Sequence, residues 1–233
     1  MRDELDPKAI PSDQTKTLHL GSRGLGVSWI RRPPQQERSA DTLHRLLCAS
    51  EDLLQTRRFE DITIMDIVER AQSSVGAFYA RFRSKENLLF ELQRRLYLDL
   101  VASLESAVNS EPWVSANLDE QIEATIRFGV SSYRERRGLF RAIIVGTYHV
   151  PEIRDRAVEY NKCVMDIVAN AWLKSASIRH PEPEQAARIC VLIAVSMLRE
   201  WIIFGEVWSD TMTISDEQFG CEVVRACRRY LGG

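Results

Sequence analysis

Between Thr63 and Lys85 two short helix signatures follow each other with almost no room for a loop, and this spacing constrains the fold more than any other feature. Thr63 reads as an N-cap with Asp66 three residues on, the reciprocal pattern of a capping box. Ile64, Ile67, Val68 and Ala71 then fall at the i, i+3, i+4 and i+7 positions of one helix face. Gln72 and Ser73 interrupt the pattern, Ser74 is a second N-cap, and Phe78 and Phe82 lie four apart on one side of a second helix. With those two rings buried against Ile67 and Val68, the first turn of that helix, Val75, Gly76 and Ala77, is left looking outward. Helix, short turn, helix is the helix-turn-helix unit, whose second helix lies in the major groove of DNA with its N-terminal residues toward base edges.

The charges agree with this placement. From Ala71 to Lys85 there is no Asp or Glu, while Arg81, Arg83 and Lys85 are basic. Three cations alone also describe a solvated surface. The small residues Gly76 and Ala77 tip the balance, because they let the backbone approach a duplex that a long side chain would hold off. Net charge is −2, so DNA binding has to come from a local basic face, with the rest of the chain offsetting it.

Ser74, Gly76, Phe78, Tyr79, Phe82, Lys85 and Leu88 match a pattern close to Ser-x-Gly-x-hydrophobic-Tyr-x-x-Phe-x-x-Lys-x-x-Leu, and over some fifty residues, from about Ser39 to Leu89, the chain resembles the TetR family of transcriptional regulators. Carried over position by position, the resemblance implies that Val75, Gly76 and Ala77, following Ser74, approach bases. It also implies that Tyr79 and Lys85 hold phosphates and that Thr63 contacts the backbone. Arg81 replaces what is often His or Tyr and adds a candidate phosphate or base contact. Two positions depart from the pattern. Gln72 stands where the family usually has a Gly in a left-handed conformation, which costs a residue with a Cβ roughly 1 kcal/mol; Ser73 stands where a buried Val is common.

The chain of 233 residues, 45% hydrophobic and 27% charged, has an ordinary globular composition. No run of 18 apolar residues exists and the N-terminus lacks a signal-peptide pattern, so no membrane association and a cytoplasmic location are expected. Five scattered cysteines and four unpaired histidines supply no metal-ligand spacing. No nucleophile with a His base, no paired carboxylates and no phosphate loop fall at useful spacing, so neither catalysis nor a cofactor is expected.

The expected fold is all-α. Residues 1–38, punctuated by Gly and Pro, read as a flexible extension in which Arg31, Arg32 and Arg38 form a basic arm. Residues 39–86 form a three-helix DNA-binding domain, with Leu43, Leu46, Leu47 and Leu54 as the apolar face of its first helix. Residues 87–233 form a larger helical domain. A long helix from Ser84 toward Val108 joins the two, followed by helices near 118–137, 139–147, 152–176, 183–207 and 215–231, with Gly138 ending the first of these.

The helix at 183–207 is apolar over more than one face and needs either a deep core or a partner. The resemblance implies that 183–207 and 215–231 pair with their symmetry mates in a homodimer bound to double-stranded operator DNA. It also implies a pocket for a small apolar or amphipathic effector that releases a repressor. Candidate pocket residues are Phe128, Tyr148, Met165, Trp172 and Trp201. The competing reading is a DNA-binding dimer controlled by a partner protein, or without an effector.

Overall fold

The computed structural model describes residues 37–175, 178–208 and 210–232, with side chains from residue 40 onward. Most of the expected N-terminal extension, with Arg31 and Arg32, lies outside the described residues, as does the side chain of Arg38. Among the described residues the elements are all helical: α1 (Glu37–Leu54), α2 (Ile64–Arg70), α3 (Val75–Tyr79), α4 (Lys85–Val108), α5 (Leu118–Glu135), α6 (Arg137–His149), α7 (Pro151–Leu173), α8 (Pro183–Ile203), a 3-10 turn (Gly205–Val207) and α9 (Asp216–Tyr230). None of these helices is long and apolar enough to cross a membrane.

Side-chain caps set several of the starts. Asn117 and Ser215 make capping boxes with Glu120 and Gln218, Ser84 caps α4, and Pro151 and Pro183 occupy the first positions of α7 and α8, where a missing N–H costs nothing.

Two apolar cores stack along α4. The lower one gathers Leu46, Leu47 and Leu54 of α1, Ile67 and Val68 of α2, Phe78 and Phe82, and Leu88, Leu92 and Leu96 of α4. It continues into Leu139, Phe140 and Ile143 of α6, Ile153 of α7 and Ile203 of α8. The upper core joins Leu104 to Ile122 and Ile126 of α5, Val168 and Trp172 of α7, Ala194 and Leu198 of α8, and Val223 and Cys227 of α9. Phe128 and Tyr133 of α5 pack against both. The core of the helix-turn-helix unit therefore does not stop where α4 begins, because α6 is built into it.

Gly138 differs from expectation. It does not end α5, which closes at Glu135; it is the second residue of α6. An added Cβ there would lie 1.7 Å from the carbonyl oxygen of Leu54, so α6 rests with its backbone directly on the end of α1. What reads along the sequence as a helix breaker is a point of backbone contact between the two parts of the molecule. The helix at 183–207 likewise divides, into α8 and the 3-10 turn after Ile203. Its many-sided apolarity is largely absorbed within the chain, since α8 packs against α5, α6, α7 and α9.

Candidate nucleic-acid interface

The local architecture of the helix-turn-helix unit follows from caps and one unusual residue. Thr63 Oγ accepts from Asp66 N (3.1 Å) and Asp66 Oδ2 accepts from Thr63 N (2.7 Å), closing the expected box at the start of α2. Arg57 pairs with the same carboxylate at 3.0 Å, and this bond together with those from Thr63 holds Asp66 far below the usual carboxylate range.

At the other end of α2, Gln72 has φ +48°, so it takes the left-handed conformation that the family's usual Gly allows rather than forming a different turn. Gln72 N donates to Glu69 O (3.1 Å) and Ser73 N to Val68 O (2.8 Å), the two bonds of a Schellman motif. The exposed carbonyls of that turn are held from outside, as Arg45 of α1 donates to Ala71 O and Gln72 O, both at 2.9 Å. Arg45 escapes sequence reasoning because its partners are 26 and 27 residues away and its spacing to Asp41 suggests only a surface pair. Gln72→Gly is expected to raise Tm by roughly 1–3 °C, since removing the Cβ strain outweighs the added freedom of the unfolded chain by about half a kcal/mol. A lower Tm in differential scanning calorimetry contradicts a strained turn.

Ser74 caps α3 by accepting from Ala77 N at 3.1 Å. Phe78 and Phe82 are completely buried, their rings 5.3 Å apart, and fix one side of α3 to the core. The other side is open. Val75 and Gly76 are exposed, Ala77 is half-buried, and Tyr79 leaves 46% of its surface in solvent while its ring stands edge-on to Phe78. A Cβ on Gly76 would meet nothing closer than Ser74 Oγ at 3.9 Å, so nothing within the fold requires glycine at that position. Arg81 turns back to cap α3, donating to Ala77 O at 2.8 Å.

Lys85 departs from the expectation of a free phosphate anchor. Its ammonium donates to Phe59 O and Ile62 O, both at 2.7 Å, and to Glu60 O at 3.3 Å, and it lies 4.5 Å from the centre of the Phe59 ring. Three donors meet three carbonyls, so in the protein alone Lys85 ties the loop between α1 and α2 to the start of α4. Lys85→Met keeps the aliphatic stem and removes the charge; a stability loss of about 2 kcal/mol in urea unfolding is expected, the usual worth of charge-assisted bonds to backbone carbonyls. Unchanged stability shows that the tether contributes nothing.

The candidate effector residues separate. Phe128 and Trp172 line a partly open cavity of about 70 Å³ between α4, α5, α6, α7 and α8. Tyr148 is 82% exposed on the outer face of α6 and lines nothing enclosed. Met165 packs on the upper core away from the cavity. Trp201 stacks on Phe219 with ring centres 4.6 Å apart and donates to Asp216 Oδ1 at 3.1 Å, so it closes the α8–α9 contact. Tyr133, Phe140 and Tyr160 take the places expected for these three at the cavity wall.

Residues 46–92 match the family model of bacterial regulatory proteins of the tetR family. No curated protein matches the chain. Several solved structures share its fold. A TetR transcription regulator from Haloarcula marismortui is 15% identical with a TM-score of 0.64, the alignment covering 82% of this chain and 97% of that one. A protein from Mesorhizobium loti described as a TetR-family transcriptional regulator is 17% identical with a TM-score of 0.65, covering 84% and 98%. A transcriptional regulator from Saccharomonospora viridis, solved in complex with choline, is 15% identical with a TM-score of 0.64, covering 79% and 94%.

Proposed function

We propose, from the premise that this chain belongs to the tetR family of bacterial regulatory proteins, that it is a cytoplasmic homodimeric repressor whose α3 reads operator DNA and which a small apolar or amphipathic molecule releases. The observation that carries the DNA-reading assignment is the open first turn of α3, where Gly76 has no neighbour to accommodate and Val75, Ala77 and Tyr79 stand beside it. In this reading Val75, Gly76 and Ala77, following Ser74, meet base edges. Tyr79 and Arg81 meet phosphates, as does the backbone at Thr63. Lys85 joins them only by exchanging a carbonyl for a phosphate.

Dimerisation through 183–207 and 215–231 is supported by what α8 and its connection to α9 leave uncovered. Leu192 is more than half exposed, and Val207, Trp208, Met212 and Ile214 form an apolar stretch in solvent. Exposed apolar surface of this kind supports a partner site. Two recognition helices related by a two-fold axis then meet half-sites one helical turn apart or at a longer spacing set by the operator.

For release, Tyr133 and Phe140 both line the cavity, and Tyr133 touches both cores. A molecule entering there pushes on α4 at Leu100 and on α6, which rests on α1 at Gly138. Coupling of about 1–3 kcal/mol suffices to change operator affinity 5- to 150-fold. The second reading, a DNA-binding dimer controlled by a partner protein or without an effector, is favoured by the small cavity, since ligand pockets usually reach several hundred Å³.

Sedimentation equilibrium of the full chain, alone and with genomic duplexes that it captures, tests the proposal. A dimer in solution that protects two half-sites on one face of the duplex is expected; a monomer on a single unrepeated site overturns the homodimeric reading.

A further inference from the structure

The cavity wall carries chemistry that narrows what can bind. Its lining contains no charged side chain, so an ion entering would give up its hydration without a counter-ion. Leu100, Leu104, Val164, Val168 and Leu198 are among its apolar lining residues. Against this background Trp172 is 0% exposed and its indole N–H has no acceptor. Leaving a buried donor unpaired costs about 1–3 kcal/mol, and buried indoles usually find a partner. Beside it on the same wall are the phenols of Tyr133 and Tyr160. Burial pushes Tyr133 up to about 12 and Tyr160 higher, so both hydroxyls stay protonated and able to donate.

We propose that this cavity takes a compact, uncharged, largely apolar molecule bearing a hydrogen-bond acceptor, a carbonyl or ether oxygen, and that the indole N–H of Trp172 is the donor that orients it. The assignment rests on the effector-release reading above and specifies its ligand class. A cavity of roughly 150 Å³ holds benzene, and a five-membered ring bearing one oxygen is about as large, so the 70 Å³ open here has to widen about twofold through side-chain shifts when the ligand enters. A carboxylate is excluded by desolvation. A cation is disfavoured because no carboxylate faces the cavity to offset its lost hydration. The wall's five aromatic residues make a quaternary ammonium the serious competitor.

The test uses the full-length protein labelled with ¹⁵N at its indoles and four probes of similar size: cyclopentanone, cyclopentane, cyclopentanecarboxylate and choline. Trp172→Phe identifies the Trp172 N–H resonance. Cyclopentanone is expected to bind and move that resonance downfield, and cyclopentane to bind more weakly without the downfield shift. The two ions are expected not to bind. Trp172→Phe is expected to weaken cyclopentanone by about 3- to 10-fold, the worth of one neutral hydrogen bond, and to leave cyclopentane within 2-fold. Should that variant not fold, single Trp→Phe substitutions at Trp29, Trp113, Trp201 and Trp208 identify the Trp172 resonance by elimination, and its downfield shift in the unaltered protein decides alone. Tighter binding of choline or the carboxylate, binding of the ketone without the shift, or no binding by any probe overturns the proposal. Occupancy is read without DNA, so the ligand class and the regulatory reading fail separately. If cyclopentanone binds with the shift yet leaves affinity for captured DNA unchanged, the ligand class stands and release by effector falls.

Discussion

Replacing Gly138 by Ala is expected to cost about 3 kcal/mol and to lower Tm by roughly 6–12 °C. The added methyl would stand 1.7 Å from Leu54 O and 2.6 Å from Leu54 C. Both are backbone atoms at the end of a helix whose Leu54 is buried, so no side-chain rotation relieves the clash. The whole of α6 has to lift from α1, taking Leu139, Phe140 and Ile143 out of register with the lower core. Gly129→Ala provides the contrast. There the new methyl meets Leu198 Cδ1 at 2.9 Å, the far end of a flexible side chain beside a cavity, and a loss below about 1 kcal/mol is expected. Urea unfolding of both variants decides; a Gly138→Ala protein as stable as the parent removes the contact through which α6 is argued to act on the DNA-binding unit.

The second large effect is expected on binding rather than on stability. Gly76→Leu places a long side chain on the open turn of α3, where a Cβ has only Ser74 Oγ within 4 Å. Leu is the better helix former by somewhat under 1 kcal/mol, so Tm should stay level or rise slightly. DNA affinity should fall at least ~30-fold, because a base contact is worth about 1–3 kcal/mol and a dimer loses it at both half-sites. A drop in stability of several kcal/mol shows that the fold needs this glycine; preserved affinity shows that α3 reads DNA through some other surface or not at all.

Local signals carried much of the fold. Caps at Thr63, Ser74 and Ser84 placed the starts of α2, α3 and α4 correctly, because each is fixed by residues within one helical turn, whereas Phe82, read as part of the second helix, lies past the end of α3 at Tyr79. The backbone at Gln72 was left open between a different turn and a tolerated strain, and its left-handed φ shows the second. Contacts across long separations were not legible. Lys85 looks like a phosphate anchor until the loop 23 to 26 residues earlier folds over it, and Arg45 looks like half of a surface pair until the turn at Ala71 arrives beside it. Gly138 punctuates the sequence as a stop, and only the position of α1 shows why it is small. Among the aromatic residues, helical spacing alone did not separate Trp172, enclosed at the cavity, from Tyr148, which faces solvent. Which face of α6 looks inward is decided by α1, α4 and α7 around it.

Fluorescence anisotropy of the full chain with a genomic duplex that it captures, titrated from about 50 to 200 mM salt, decides whether α3 and its cations bind DNA. If α3 and the cations around it bind DNA as a dimer with at least three phosphates engaged per half-site, log K should fall linearly with log salt with a slope near −5 or steeper. Gly76→Leu should then bind only weakly and without preference for the captured sequence. An affinity independent of salt, or a Gly76→Leu protein that binds the captured duplex as tightly as the parent, contradicts the account.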